Sequence, residues 1–145
     1  MKLPRHNAAF CKTCFNHFVH DQVAKAIKSQ DMFDTSNRIL VAVSGGKDSL
    51  ALWHILLTLG YRADALYVNL GIPGYSERSH DKVRHYADMI AAPLGAILHI
   101  HTVEQESGAG IKELAQLVHR PTCSTCGTIK RYQFNRAAIE KEYDV

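Results

Sequence analysis

Residues Ser44 to Ser49 read Ser-Gly-Gly-Lys-Asp-Ser, and two Cys-x-x-Cys pairs, Cys11/Cys14 and Cys123/Cys126, hold all four cysteines of the 145-residue chain. The first group suits a polyphosphate. Gly45 and Gly46 permit a sharp turn with bare N–H groups, and a helix starting just after them would aim its unpaired amides and positive dipole end at the same point. Ser44 and Ser49 add hydroxyl donors and Lys47 a mobile cation. Asp48 can cap the helix or hold the magnesium ion that a polyphosphate brings. The spacing is not that of a Walker loop, which has four residues between its glycine and Gly-Lys and a Ser or Thr straight after the lysine; Asp48 occupies that place. In a reducing compartment, the cysteine pairs favour metal or redox work over structural disulfides.

A plain strand-to-helix turn would use the same residue types, so the flanks decide. Ile39 to Val43 form an apolar run directly before the loop, and Leu50 to Leu57 are helical in pattern directly after it. Arg38–Val43 is therefore the first expected strand, and Lys47–Leu59 a helix closed by Gly60. A second strand is expected through Ala65–Leu70, broken by Gly71-Ile72-Pro73-Gly74. Ser76–Ala91 has helical spacing, Ala96–His101 reads as a third strand, and Ile111–Val118 as a short helix that Pro121 ends. Alternating strands and helices imply a parallel sheet with ligands bound beyond the carboxyl ends of the strands. Asn69 to Ile72 then become candidates to touch a nucleoside. Ahead of all this, Phe15, Phe18, Val19, Val23, Ala26 and Ile27 recur at helical spacing, so residues 1–30 are expected to form an appendage and residues 31–145 the main domain. His99 and His101 alternate on one strand and are expected on a half-buried face, hydrogen-bonded to neighbours.

With 46% apolar residues the chain can build a core, and a formal net charge of +3 gives no whole-chain field of the kind a nucleic-acid coat protein carries. Charge is uneven, however. No Asp or Glu occurs from Leu114 to Ile139, whereas Arg120, Lys130, Arg131 and Arg136 do, which fits either a solvated helix face or a polyanion surface. No apolar run approaches the roughly 20 residues that span a bilayer, and the N-terminus lacks a signal-peptide core, so a cytoplasmic protein is expected. Cys123 and Cys126 fall at the expected start of a helix rich in Lys and Arg, a setting for a metal ligand or a sulfur carrier.

The loop with its flanks resembles the pyrophosphate loop of the N-type ATP pyrophosphatases, the PP-loop superfamily. Together with Tyr67 to Gly71 and the run Arg120-Pro121-Thr122-Cys123-Ser124-Thr125-Cys126-Gly127-Thr128-Ile129-Lys130-Arg131-Tyr132, it resembles the tRNA 2-thiouridine synthetases, the tRNA-5-methyluridine 2-sulfurtransferases among them. The resemblance implies an α/β fold of the Rossmann-like adenine nucleotide alpha hydrolase type. It implies ATP held by Ala42, Ser44, Gly45, Gly46, Lys47, Asp48, Ser49 and Leu70, with Mg2+. It also implies Cys123 and Cys126 as two of three protein ligands of a 4Fe-4S cluster, and Lys130 reaching the ATP phosphates or the target uridine. The implied reaction adenylates the uridine C2 oxygen and replaces it with sulfur. The implied partners are tRNA, a sulfur donor (a ubiquitin-like thiocarboxylate protein, sulfide or a persulfide) and a second copy of the full-length chain.

Two departures from the family pattern carry expectations of their own. Cys11 and Cys14 resemble the second half of an N-terminal zinc finger whose first Cys-x-x-Cys should come earlier, leaving Zn2+ two ligands short unless His6, His17 or His20 contribute. At the other end the chain stops where the family would start a fourth strand beside the first and continue to a third cluster cysteine and a second zinc finger. The chain is therefore expected to be an N-terminal fragment, its sheet incomplete at the C-terminus. Two other readings stay open: another PP-loop ligase or amidotransferase with structural zinc only, which gives Cys123/Cys126 no chemical use, and a non-catalytic zinc-bearing nucleic-acid module, which gives Ser44–Ser49 none.

Overall fold

The structure, a computed structural model, describes residues 2–3 and 8–145. It divides into two compact units, Met1–Asp34 and Thr35–Val145. In the first, β1 (Lys2–Leu3) and β2 (Ala8–Ala9) pair antiparallel and α1 (Lys12–Ser29) follows. The Phe10 ring packs on Phe15 and Phe18, with centroids 6.4 and 4.9 Å away. Asp31 ends α1 in the left-handed region (φ 47°), where its amide and that of Met32 satisfy the carbonyls of Lys28 and Ile27.

The second unit is a three-stranded parallel sheet in the order β3 (Arg38–Val43), β4 (Arg62–Asn69), β5 (Leu98–Thr102). β4 is central and reads Ala65-Leu66-Tyr67-Val68, all buried, as a parallel strand covered on both faces must. Side chains alternate between those faces. On one, α2 (Lys47–Thr58) and α3 (Ser76–Tyr86) pack, with Trp53 fully buried and its indole N–H donating to the Ala63 carbonyl at 2.9 Å. On the other, Leu66, Val68 and Leu70 form a core with Val103 of α4 (Val103–Ser107) and Ile111 of α5 (Ile111–Leu117). Cys126, Ile129, Phe134 and Ala137 of α6 (Thr122–Glu140) pack against it.

Helix α2 ends at Thr58, with Leu59 as its C-cap. Gly60 (φ 85°) then donates to Leu57 and Tyr61 to Leu56, the left-handed cap that the glycine promised. The helix expected over Ser76–Ala91 is α-helical only to Tyr86 and widens into a π turn over Ala87–Ala91 before a 3-10 turn at Ala92–Leu94. Pro93 supplies the reason, since it has no N–H to donate and its ring crowds the carbonyl four residues back.

Glu142 (φ 56°) turns the chain at the end of α6 so that the last residues lie along the outer edge of β3. Leu40 N–H donates to the Val145 carbonyl at 2.7 Å and Val145 N–H to the Arg38 carbonyl at 3.3 Å, a parallel bridge opposite Ile39. The Asp144 carboxylate accepts from the Arg38 amide at 2.7 Å. The Tyr143 hydroxyl donates to Asp64 at 2.6 Å and meets His99 at 2.9 Å. His99 is thus a half-buried, partnered strand residue, and burial pushes its pKa down. His101 lies beside Glu106 at 3.4 Å, its Nε2 buried with no hydrogen-bond partner among the described residues.

Candidate active site

The turn from β3 into α2 is shaped by its glycines and braced by its serines. Gly45 has φ 76°, and a Cβ there would sit 2.8 Å from the backbone oxygen of Ser79 on α3, so the backbone angle and the close approach both exclude a side chain. Ser49 accepts from the Ser44 amide at 3.1 Å and donates to the Gly46 carbonyl at 3.0 Å, while the Ser44 hydroxyl accepts from the Gly46 amide at 3.3 Å. The two hydroxyls are struts of the loop as well as possible donors to a ligand. Gly46 is the N-cap of α2, so the first-turn amides that follow have no intrahelical acceptor and point outward together with the helix dipole. Lys47 and Asp48 form an ion pair whose side chains are each 88% exposed. Exposed pairs are weak, so either group is readily released to a phosphate or a cation.

Beside this loop, at the carboxyl ends of β3 and β4, lies a cavity of about 210 Å3. Ala42 comes to it from β3 and Ser44 from the loop, Tyr67 from β4 and Leu70 from just beyond it, Tyr75 and Ser76 from the start of α3, and Lys130 and Phe134 from α6. The Tyr67 hydroxyl donates to the Ser76 carbonyl at 3.1 Å, and burial pushes its pKa up, so it stays a neutral phenol. Behind Leu70 the chain is pinned: the Gly71 amide donates to Asn69 Oδ1 at 3.0 Å and the Ile72 amide to Ser76 Oγ at 3.0 Å. A larger cavity, about 560 Å3, opens at the opposite ends of the strands around Arg38, Tyr61, Arg62 and Asp64. It contains none of the candidate site residues named from the sequence.

Pro121 is the N-cap of α6, which places Cys123 exposed in its first turn and Cys126 half-buried one turn on, against the core that backs Leu70. Lys130, four residues later on the same helix face, is about 6 Å further along the axis and reaches the cavity. The fold therefore brings the sequence-selected Ala42, Ser44, Leu70 and Lys130 to one cavity, with Cys126 packed behind its wall. Part of the basic character expected for the last third is neutralised: Arg136 pairs with Glu106 of α4 at 3.1 Å and with Glu140 at 2.8 Å, the latter first among the contacts that raise its pKa.

Cys11 and Cys14 have a different setting. Cys11 is the N-cap of α1 and its sulfur accepts from the Cys14 amide at 3.3 Å, which lowers its pKa, whereas the hydrogen bond to Cys11 raises that of Cys14. Among the described residues no group of three or more His, Cys, Asp or Glu side chains gathers to hold a metal ion, so His17 and His20 do not complete a site with this pair; His6 lies outside the described residues. No helix among the described residues is long and apolar enough to cross a membrane.

Sequence reasoning missed Tyr75, Ser76 and Phe134 as cavity residues, and Gly110 behind Leu70. The rule that ligands bind beyond the strand ends reaches Tyr75 and Ser76 once the next helix start is counted as part of that rim. Phe134 carried a weaker signal, its place one turn after Lys130 on the same helix face.

The family model for the PP-loop domain matches residues 15–140. The chain belongs to this family. Among curated relatives, the tRNA-5-methyluridine(54) 2-sulfurtransferase of Thermotoga maritima is 41% identical over 145 residues, covering 100% of this chain and 47% of that protein. The protein of the same name from Pyrococcus horikoshii is 39% identical over 134 residues, 92% of this chain and 41% of the relative. Cytoplasmic tRNA 2-thiolation protein 1 of Aspergillus niger is 30% identical over 94% of this chain. Among solved structures, the U34-tRNA thiolase NcsA from Methanococcus maripaludis with its [4Fe-4S] cluster superposes with a TM-score of 0.75 at 27% identity, covering 96% of this chain and 46% of that one. This PP-loop chain thus spans less than half the length of these relatives.

Proposed function

We propose that this chain carries the ATP-activating part, and the first part of the sulfur-handling machinery, of an ATP-dependent tRNA 2-thiouridine synthetase. One observation carries the reading: a single cavity is lined by Ser44 of the glycine loop and by Lys130 of the helix that begins with Cys123 and Cys126. The named relatives, all tRNA thiolation proteins, support the choice of substrate.

In this mechanism Ser44–Ser49 is the PP-loop. Its amides, with Lys47, neutralise the β- and γ-phosphates of ATP, and Asp48 holds Mg2+. The adenosine occupies the cavity between Ala42 and Leu70. The uridine C2 oxygen attacks the α-phosphorus; a P–O bond forms, the bond to the β-phosphate oxygen breaks, and pyrophosphate leaves. A sulfur nucleophile then adds to C2, the C2–O bond breaks, and AMP departs with the former carbonyl oxygen. Lys130 offsets the negative charge that develops next to the α-phosphate, where fixed charge in a partly dry site is most effective.

Cys123 and Cys126 are soft sulfur donors on one helix face with Cys123 open to solvent, which fits two of the ligands of a 4Fe-4S cluster. When bound, such a cluster supplies Lewis-acidic iron for the sulfur donor, whether a thiocarboxylate protein, sulfide or a persulfide. Zn2+ at Cys11/Cys14, with its further ligands supplied from outside the described residues, assembly as a homodimer and work in the cytoplasm complete the proposal.

The test is anaerobic iron–sulfide reconstitution together with Mg-ATP titration of the same protein. Broad visible absorption of an iron–sulfur cluster, lost in Cys123→Ser and Cys126→Ser, with ATP binding lost in Gly45→Ala, is the expected result. Zinc without a cluster would favour a PP-loop ligase, and no ATP binding a non-catalytic module; either overturns the proposal.

A further inference from the structure

Gly110 ends the α4–α5 connection with φ −74° and ψ 169°, a conformation open to any residue, so its backbone does not call for glycine. Its surroundings do. A Cβ on Gly110 would lie 3.1 Å from the Gly71 carbonyl oxygen, and one on Gly71 (φ 67°) would lie 3.2 Å from the Gly110 Cα. Two backbones touch here without side chains between them. The contact is locked on both sides: the Ile111 amide donates to the Leu70 carbonyl at 3.0 Å, and the Gly110 amide donates to Glu113 Oε2 at 2.8 Å.

What the joint connects gives it a role. Leu70 lines the nucleotide-side cavity. Ile111, fully buried, shares a core with Leu70 and with Cys126, Ile129 and Phe134 of α6, against which α5 packs. A methyl group at 110 requires the Gly71 carbonyl or the start of α5 to give way by a few tenths of an ångström. Either movement alters the spacing between the cavity wall and the cysteine-bearing helix. Resting on the ATP reading above, we infer that Gly110 is a positioning residue that sets this spacing and so keeps the nucleotide subsite and the Cys126–Lys130 segment in register.

Gly108 supplies the control. It lies in the same connection at φ 72°, but a Cβ there meets nothing within 4 Å, so Gly108→Ala strains the backbone without opening the joint. Gly110→Ala is expected to weaken ATP about tenfold, equivalent to ~1.4 kcal/mol, and to leave the affinity for inorganic tripolyphosphate, which engages only the glycine loop, unchanged. It is also expected to speed iodoacetamide alkylation of the half-buried Cys126 several-fold, at a temperature where the protein is fully folded. Gly108→Ala is expected to lower thermal stability and leave all three readouts alone.

If Gly110→Ala matches Gly108→Ala in ATP affinity and Cys126 reactivity, the inference is wrong. If the parent protein binds neither ATP nor tripolyphosphate, the ATP reading fails, and Cys126 alkylation alone still decides on the joint. Should Gly110→Ala not fold, Glu113→Ala removes the acceptor of the Gly110 amide without a clash. It is expected to shift both readouts the same way by about two- to threefold, the lower end of what one lost hydrogen bond contributes; no shift in either overturns the inference.

Discussion

The two Cys-x-x-Cys pairs have the same spacing and each sits at the start of a long helix, yet their neighbours differ in kind. Cys11 and Cys14 are both exposed and interact chiefly with each other, one sulfur holding the other residue's amide. Cys126 instead is packed into the core that supports Leu70, and the next turn of its helix delivers Lys130 to a cavity shared with the glycine loop. Spacing specifies that two thiols can act together. The surrounding elements specify what they act on, and the helix that carries Cys123 and Cys126 also carries Lys130 to the cavity beside the glycine loop.

The largest effect that separates the pairs is chemical. Cys126→Ser or Cys123→Ser should abolish the iron–sulfur absorption, whereas Cys11→Ser should leave the absorption of the reconstituted protein intact; equal loss in both variants would contradict the distinction drawn between the pairs. Next, Gly45→Ala should weaken ATP by about 100-fold, ~2.7 kcal/mol, because the β-carbon pushes the loop off Ser79, while cluster assembly stays at the parent level when measured by absorbance. Loss of both together would mean that the loop and the cysteine helix fold as one unit.

Stability gives a smaller but cleaner contrast. In denaturant unfolding, Leu66→Ala should cost about 3 kcal/mol as a core cavity, Cys126→Ala about 1 kcal/mol, and Cys14→Ala under about 0.5 kcal/mol as a surface change. The smallest effect is on pH dependence. In metal-free protein the Cys14 amide stabilises the Cys11 thiolate, so Cys11 alkylation should reach half its plateau rate below the ordinary thiol pKa and Cys14 above it. The sign follows from the lowered pKa, whose stabilisation is present at high pH and lost as pH falls through the folded-state value. Quantitative mass spectrometry across pH 7 to 10 reads both, and coincident profiles would contradict the hydrogen bond.

Much of this site could be read from residue order because its decisive parts are local. The glycine loop, the apolar run before it and the helical pattern after it lie within about 20 residues, and turn chemistry fixed Gly45 and Gly60 correctly. Resemblance to a family points to Lys130, which the structure places at the cavity. Tyr75, Ser76 and Phe134 are harder to read because they meet Ala42 only across the sheet, through α3 and α6, and the strand-end rule and the helical period name their elements without naming that meeting. Gly110 was invisible for the same reason: its partner, Gly71, is distant in sequence and touches it through backbone alone. The π turn at Ala87–Ala91 was lost because the helical pattern runs through it unchanged.

The central claim is that the nucleotide loop and the second cysteine pair serve one cavity. It is tested most directly by measuring alkylation rates of all four cysteines in one sample, with and without saturating Mg-ATP. Nucleotide should slow Cys126 by about threefold or more, because binding opposes the local opening that exposes it. Cys11 and Cys14, whose sulfur contact is with each other in the first unit, should be unchanged. Unaltered rates at Cys123 and Cys126 in protein shown to have bound ATP would contradict the account.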